Sequence, residues 1–332
     1  VDTDALGRRE RRPRRSCGAL DKGHLLYQFT YFVGPVNYYY RWGDESHVLR
    51  MRTGDSIRGL PFSPHTFTAR NDREPAYILA LTYGGELMGD AQHELAALGP
   101  DTARRFAWDA DPQATQARLL AAHLDASLLP VRELSRGSAV HPDRLETFLA
   151  GTDGPTAAEV ESLATALRVS PRDLLPVSPD SPGGISLCRA AESASWHYPS
   201  QERADYSVRQ LAGNRLHPYT RAVEIRPLRD RDATAITTHQ HQYLYNVGDA
   251  TATMAWENAG RQHDFQLRPG DSAYVRPFIP TSFTLDDPAE ASSARLLALR
   301  IAGRVGTEAR VALGSMHPGS LDRLLGENQQ WY

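Results

Sequence analysis

The stretch Gly54–Asp55–Ser56, followed by Pro61–Phe62–Ser63–Pro64–His65 and Phe67–Thr68, is written a second time as Gly270–Asp271–Ser272, Pro277–Phe278–Ile279–Pro280–Thr281 and Phe283–Thr284. Each residue of the second copy lies 216 positions after its counterpart, because 270 minus 54 and 283 minus 67 both give 216. A repeat without gaps predicts two related β-units. The copies differ where chemistry is concerned, since the first places His65 where the second places Thr281. Only the first retains an imidazole at the turn.

Around the first copy, short apolar runs alternate with Gly, Pro and Asp turns, a β-barrel or jelly-roll texture. Strands are expected over residues 24–33, Tyr38–Trp42, Val48–Met51, His65–Thr68 and Tyr77–Thr82. From about residue 90 the composition shifts to Ala, Leu and Arg, with helical periodicity over Ala114–Leu129. Thr156 and Glu159 form a capping pattern that opens another helix. Strands return over Arg221–Ile225, Tyr243–Val247, Thr251–Trp256 and Ala294–Ile301, and a short helix is expected near Leu321–Leu325. The expected fold class is mainly β with an α insert, two jelly-roll barrels joined by a helix-turn-helix-like domain. The divisions are an Arg-rich disordered leader (1–20), a first barrel (21–90), a helical domain with linker (91–180), a second barrel (181–305) and a tail (306–332).

Bulk properties narrow the function. The chain has 332 residues, 41% hydrophobic and 23% charged, with a formal net charge of −3. No global field favours nucleic acid or membrane. No apolar run reaches the roughly 18 residues a bilayer requires, and the Arg-rich start has no secretory character. Cys17 and Cys188 are too few for a disulfide framework or a thiolate metal site. A cytoplasmic location is the expectation. The chain begins with Val, and a misplaced or truncated start is expected. Lys22 is the single lysine, two residues before His24.

His24, Gln28 and His65 form the candidate metal site. Residues four apart on one strand share a face, so His24 and Gln28 are expected to point into the barrel together. A turn then brings His65 alongside. Two imidazoles and one oxygen donor leave open positions on ferrous iron for substrate and O2. An amide in place of a carboxylate leaves the site one unit more positive, which favours an anionic substrate. Each residue also has a plainer reading: a packed histidine, or a glutamine on a strand surface. In the second unit His239 and His241 carry an H-x-H ligand spacing, but Thr281 breaks the set. The second barrel is therefore expected to be structural.

These residues, with Gly23–His24, Val33–Gly34–Pro35, Arg41–Trp42–Gly43, Gly54–Asp55–Ser56 and Pro64–His65, resemble the double-cupin, non-haem iron enzymes of phosphonate metabolism. That family includes 2-hydroxyethylphosphonate dioxygenase and methylphosphonate synthase. The dioxygenase branch takes a glutamate from just before the second histidine, a position held here by about Gly59. The pattern His24-x-x-x-Gln28 is similar to the synthase branch. The resemblance implies Fe(II)- and O2-dependent cleavage of the carbon–carbon bond of 2-hydroxyethylphosphonate, independent of 2-oxoglutarate, to methylphosphonate or hydroxymethylphosphonate. A dianionic phosphonate needs cationic or hydroxyl donors, and Lys22, Arg58 and Tyr38 are the candidates. The expected partners are a small phosphonate and O2, with no nucleic acid and no membrane, and the chain is expected to form a homo-oligomer.

Two rival readings stand beside this one. Residues Thr156–Pro176 look like the end of a lambda-repressor-type helix-turn-helix domain, which fits a cupin-fused transcriptional regulator. Against it, Trp108–Pro176 holds six arginines and ten acidic residues, whereas a DNA-reading module presents a basic face. A sugar-binding or isomerase-type cupin would need a further glutamate ligand beside the histidines, and none lies near His24.

Overall fold

The computed structural model describes residues 23–107, 111–177, 180–181, 183–217, 220–303 and 305–331, with 328–331 described by backbone only. The Arg-rich leader, Cys17 and Lys22 lie outside the described residues.

The chain divides into two compact units. Tyr83 to just before Gly183, with Asn214–Leu216, forms one, and the remaining segments form the other. The second of these is the β-rich unit. Its first half contains β1 (Tyr27–Val33), β2 (Val36–Trp42), β3 (Glu45–Met51), β4 (Ser56–Gly59), β5 (His65–Ala69) and β6 (Tyr77–Tyr83). With β7 (Ile185–Cys188) these form two sheets, ordered β6-β1-β4-β7 and β3-β2-β5. Period-two alternation turns Phe32, Val36, Tyr38, Met51, Ile57 and Phe67 inward between the sheets, where they form one buried cluster. The outward face of β1 carries Tyr31, whose hydroxyl donates to the buried carboxylate of Glu224 at 2.7 Å.

The later half holds β8 (Ser195–Pro199), β9 (Ala204–Gln210), β10 (Thr220–Pro227), β11 (His241–Asn246), β12 (Ala252–Asn258), β13 (Arg261–Leu267), β14 (Ser272–Val275), β15 (Thr281–Leu285) and β16 (Leu296–Ile301). Its sheets run β14-β11-β16-β10-β9-β8 and β13-β12-β15. The repeat now has a structural meaning, because β11–β16 copy β1–β6 in order and pairing. Tyr40 opposes His65 as Trp256 opposes Thr281. The Gly54 and Gly270 turns are the same turn. Both glycines take positive φ, 88° and 87°. Asp55 accepts the Arg52 N–H as Asp271 accepts the Arg268 N–H.

The helical unit contains α1 (Asp90–Leu98), α2 (Pro100–Phe106), α3 (Pro112–Ser127), α4 (Val131–Ser138), α5 (Pro142–Leu149) and α6 (Ala157–Leu167). Leu134, Leu145 and Leu163 anchor its core. Thr156 and Glu159 complete the capping box expected from sequence. Arg144 on α5 is engaged by Asp153 and Glu159 and lies over the Phe148 ring. Beyond β16 come α7 (Thr307–Ser315) and α8 (Leu321–Trp331). Among the described residues no helix is long and apolar enough to cross a membrane.

Two sequence expectations change. The run 24–33 is not one strand, since β1 begins at Tyr27, and His24 precedes a bend at Leu25–Leu26. Strands β4, β13 and β14 escaped the sequence pattern for different reasons. β4 is four residues long and buried throughout. β13 is exposed over six of its seven residues, and β14 has a single buried residue, so neither carries apolar alternation.

Candidate metal centre

The structure brings His24, Gln28 and His65 together. The two imidazole rings lie 5.7 Å apart, nearly perpendicular. His24 Nε2 is 3.3 Å from Gln28 Oε1. Gln28 reaches this place as expected, pointing inward from β1 with 8% of its surface exposed. His24 arrives by a different route from the one alternation suggested. It lies just before the bend that leads into the strand, and two bonds hold it there. Its Nδ1 donates to the Leu26 carbonyl at 2.9 Å, and its own carbonyl accepts the Phe62 N–H at 2.8 Å.

His65 opens β5 and is held in the same manner, with Nδ1 donating to the Ser63 carbonyl at 2.9 Å. A carbonyl can only accept, so both imidazoles are Nδ1–H tautomers. Each Nε2 therefore carries a free lone pair, the form in which histidine binds a metal. Burial lowers the His65 pKa below its ordinary value; the Ser63 bond opposes this, and neighbouring His24 lowers it further. The ring is thus kept neutral near physiological pH.

Gln28 completes the set. Its amide nitrogen donates to Thr30 Oγ1 at 3.0 Å, which turns the amide oxygen toward His24. In the metal-binding form of His24, two lone-pair atoms then face each other at 3.3 Å. That contact is repulsive unless a cation lies beside it, so the donor chemistry fits a divalent metal. Among the described residues no three His, Cys, Asp or Glu side chains converge. A three-donor site here would need a donor of another type, and Gln28 Oε1 lies 3.3 Å from His24 Nε2. Gly59 stands directly opposite Gln28 in the β1–β4 ladder, so no side chain faces the amide from that position.

The other candidates separate. Tyr38 is 1% exposed and its ring lies 5.9 Å from His65, stacked on Tyr40. Burial raises its pKa, with Tyr40 adding to the shift, and the phenol stays protonated. Arg58 is not brought to the cluster. On β4, Ile57 and Gly59 share the face of Gln28, and alternation sends Arg58 to the opposite face. There it is buried with its guanidinium over the Tyr27 ring, which meets His217. Lys22 lies outside the described residues. Sequence reasoning missed Thr30, although its place two residues after Gln28 on the same strand face was a usable signal.

The H-x-H pair in the second unit does not occupy the positions of the first unit's histidines. The Gly54 N–H donates to the Phe32 carbonyl as Gly270 donates to Asn246, and the Phe62 N–H donates to His24 as Phe278 donates to Thr238. Gln28 opposes Gly59 as Gln242 opposes Val275. The counterparts of His24, Gln28 and His65 are therefore Thr238, Gln242 and Thr281. His239 and His241 fall at the places of Leu25 and Tyr27. His241 is stacked on Tyr274 and bonded to its hydroxyl at 2.6 Å.

Two imidazoles and one oxygen donor on a paired-sheet scaffold define the class of mononuclear non-haem iron proteins. No family model matches the chain. Methylphosphonate synthase of Nitrosopumilus maritimus is 33% identical over 316 residues, which cover 94% of this chain and 67% of that protein. The solved 2-hydroxyethylphosphonate dioxygenase of Streptomyces albus, with 2-hydroxyethylphosphonate and Fe(II) bound, is 43% identical. It superposes with a TM-score of 0.86, covering 94% of this chain and 69% of that one. PhpD, solved with cadmium atoms, shares the fold at 18% identity and a TM-score of 0.71, over 92% of this chain and 72% of that one. The chain belongs to the methylphosphonate synthase and 2-hydroxyethylphosphonate dioxygenase family of non-haem iron enzymes.

Proposed function

We propose that this chain performs Fe(II)- and O2-dependent cleavage of the carbon–carbon bond of 2-hydroxyethylphosphonate, holding iron through His24, Gln28 and His65. One observation supports this most directly: two Nδ1–H imidazoles with ring centroids 5.7 Å apart, and an amide oxygen 3.3 Å from one of them, gather inside the first β-unit. Bound iron would supply O2 activation and a Lewis-acid seat for the substrate oxygens. The chain's own residues do the rest. The Leu26 and Ser63 carbonyls orient the two rings, and Thr30 orients the Gln28 amide. Tyr38, Tyr40 and Phe67 form an aromatic wall beside His65. A neutral amide in place of a carboxylate leaves the metal more positive and favours a dianionic phosphonate. Lys22, the lysine nearest His24 in sequence, is assigned to the phosphonate, and the Tyr38 hydroxyl is a second polar contact.

Gln28, with Gly59 opposite it, favours methylphosphonate over hydroxymethylphosphonate as the product. In this reading each set of paired sheets is a cupin jelly roll, with barrels at 21–90 and 181–305, the helical domain at 91–180 between them and the tail at 306–332. The assembly is a homo-oligomer, which light scattering of the purified chain tests.

The deciding experiment loads the protein with Fe(II) and 2-hydroxyethylphosphonate without air, admits O2, and follows phosphorus NMR. A new methylphosphonate resonance supports the reading. Unchanged substrate with stoichiometrically bound iron overturns it.

A further inference from the structure

The second β-unit keeps the glutamine of the metal site and turns its oxygen to a different cation. Gln242 occupies the place of Gln28, and its Oε1 accepts a hydrogen bond from Arg300 Nε at 2.8 Å. In the first unit the corresponding oxygen lies 3.3 Å from the Nε2 of His24. In the second, both imidazoles are replaced by threonines, Thr238 and Thr281, and a guanidinium supplies the positive charge.

Arg300 is not alone. It opposes Gln242 on β11 and Arg221 on β10, so Arg221, Arg300 and Gln242 form one row across three adjacent strands. Leu296 and Ala298, four and two residues before Arg300, belong to the buried cluster between the sheets. Alternation therefore places the row on the face of that cluster, running outward from buried Gln242 through half-buried Arg300 to exposed Arg221. Directly opposed like charges destabilise a sheet, and half-buried Arg300 is partly desolvated without a counter-charge. Among the described residues neither guanidinium has a carboxylate within 4.0 Å. Burial pushes the Arg300 guanidinium below its ordinary value, with Tyr198 opposing the shift. Nε is committed to Gln242, which leaves the Nη1 and Nη2 fork for another acceptor.

We propose that the inward face of the second β-unit binds a small tetrahedral oxyanion, a phosphonate or inorganic phosphate, on Arg300 and Arg221. A guanidinium fork pairs two oxygens of such an anion at once, and the anion relieves the repulsion between the two arginines. The site does not depend on iron in the first unit.

The test uses metal-free full-length chain, titrated calorimetrically with inorganic phosphate and separately with methylphosphonate at low salt. One saturable site per chain is expected, weakened about 10-fold or more in Arg300→Gln and retained in His65→Ala. Should Arg300→Gln fail to fold, Arg221→Gln, at an exposed position, decides: weakened binding supports the site and wild-type binding overturns it. No saturable binding of either anion, wild-type affinity in Arg300→Gln, or loss of binding in His65→Ala each overturns the proposal. Tighter phosphate identifies a free-phosphate site and tighter methylphosphonate a subsite for the substrate class, and either result supports it.

Discussion

The backbone N–H of Phe62 donates to the carbonyl of His24 at 2.8 Å, and the N–H of Phe278 makes the same bond to Thr238 at 2.8 Å. Both phenylalanines take positive φ, 58° and 65°, a region costly for a side chain with a Cβ. Because the second unit has lost the imidazoles and kept the strain, that strain belongs to the fold. Its consequence in the first unit is to pin the histidine. Proline at either position removes the N–H and forbids the positive φ. Phe62→Pro and Phe278→Pro are expected to lower unfolding free energy by similar amounts in urea, while only Phe62→Pro weakens Fe(II) binding.

Thr30 is the handle on the third donor. Thr30→Val removes the oxygen that accepts from the Gln28 amide and frees the amide to rotate. Partners of this kind typically contribute about 10- to 100-fold to metal affinity, and Fe(II) titration of Thr30→Val is expected to fall in that range. A Thr30→Ser variant retains the hydroxyl and restores affinity.

Gln28→Glu tests the charge argument. A carboxylate adds one negative charge next to the two imidazoles. Tighter Fe(II) binding and weaker binding of 2-hydroxyethylphosphonate are expected together. Calorimetry of the two ligands reads both, and strengthened phosphonate binding would contradict the electrostatic reading.

Two glycines separate steric from conformational demands. Gly34 takes φ of 76°, and a Cβ there would sit 2.0 Å from the Pro75 carbonyl oxygen. Gly43 takes φ of 58° with open space around it. Gly43→Ala is expected to cost about 1 kcal/mol from backbone strain alone. Gly34→Ala is expected to cost clearly more, about 3 kcal/mol or above, because a carbonyl cannot move aside as a side chain can. Chemical denaturation measures both.

His217 predicts an acid limit. Burial first, and then Arg58, pushes its pKa down to about 4, against an ordinary value of about 6.5. The unfolded chain therefore binds a proton that the folded chain refuses as pH falls from about 6.5 toward 4, and stability drops across that window. Above about 6.5 the residue is neutral in both states and contributes no pH dependence. His217→Gln is expected to flatten the difference between urea unfolding at pH 7 and pH 5. Equal slopes in the two proteins would contradict the shift.

Much of this protein was legible before any coordinates. The gapless repeat determined that two β-units of one design exist, because a shared turn needs glycine at positive φ and an aspartate to close it. Alternation determined that Gln28 points inward, and composition located the helical unit. His65 and His24 were visible as candidates because their residue types have metal chemistry. Tertiary structure decided what depends on distant backbone. His24 is aimed by a bend and by Phe62, not by strand alternation, and a carbonyl two residues away sets each histidine tautomer. The face of Arg58 was hidden because β4 is too short to show a period. The true counterparts of the ligands, Thr238, Gln242 and Thr281, emerged only from strand register. Two more residues separate β11 from the repeated turn than separate β1 from it, and a linear offset cannot register a shift that only cross-strand hydrogen bonds define.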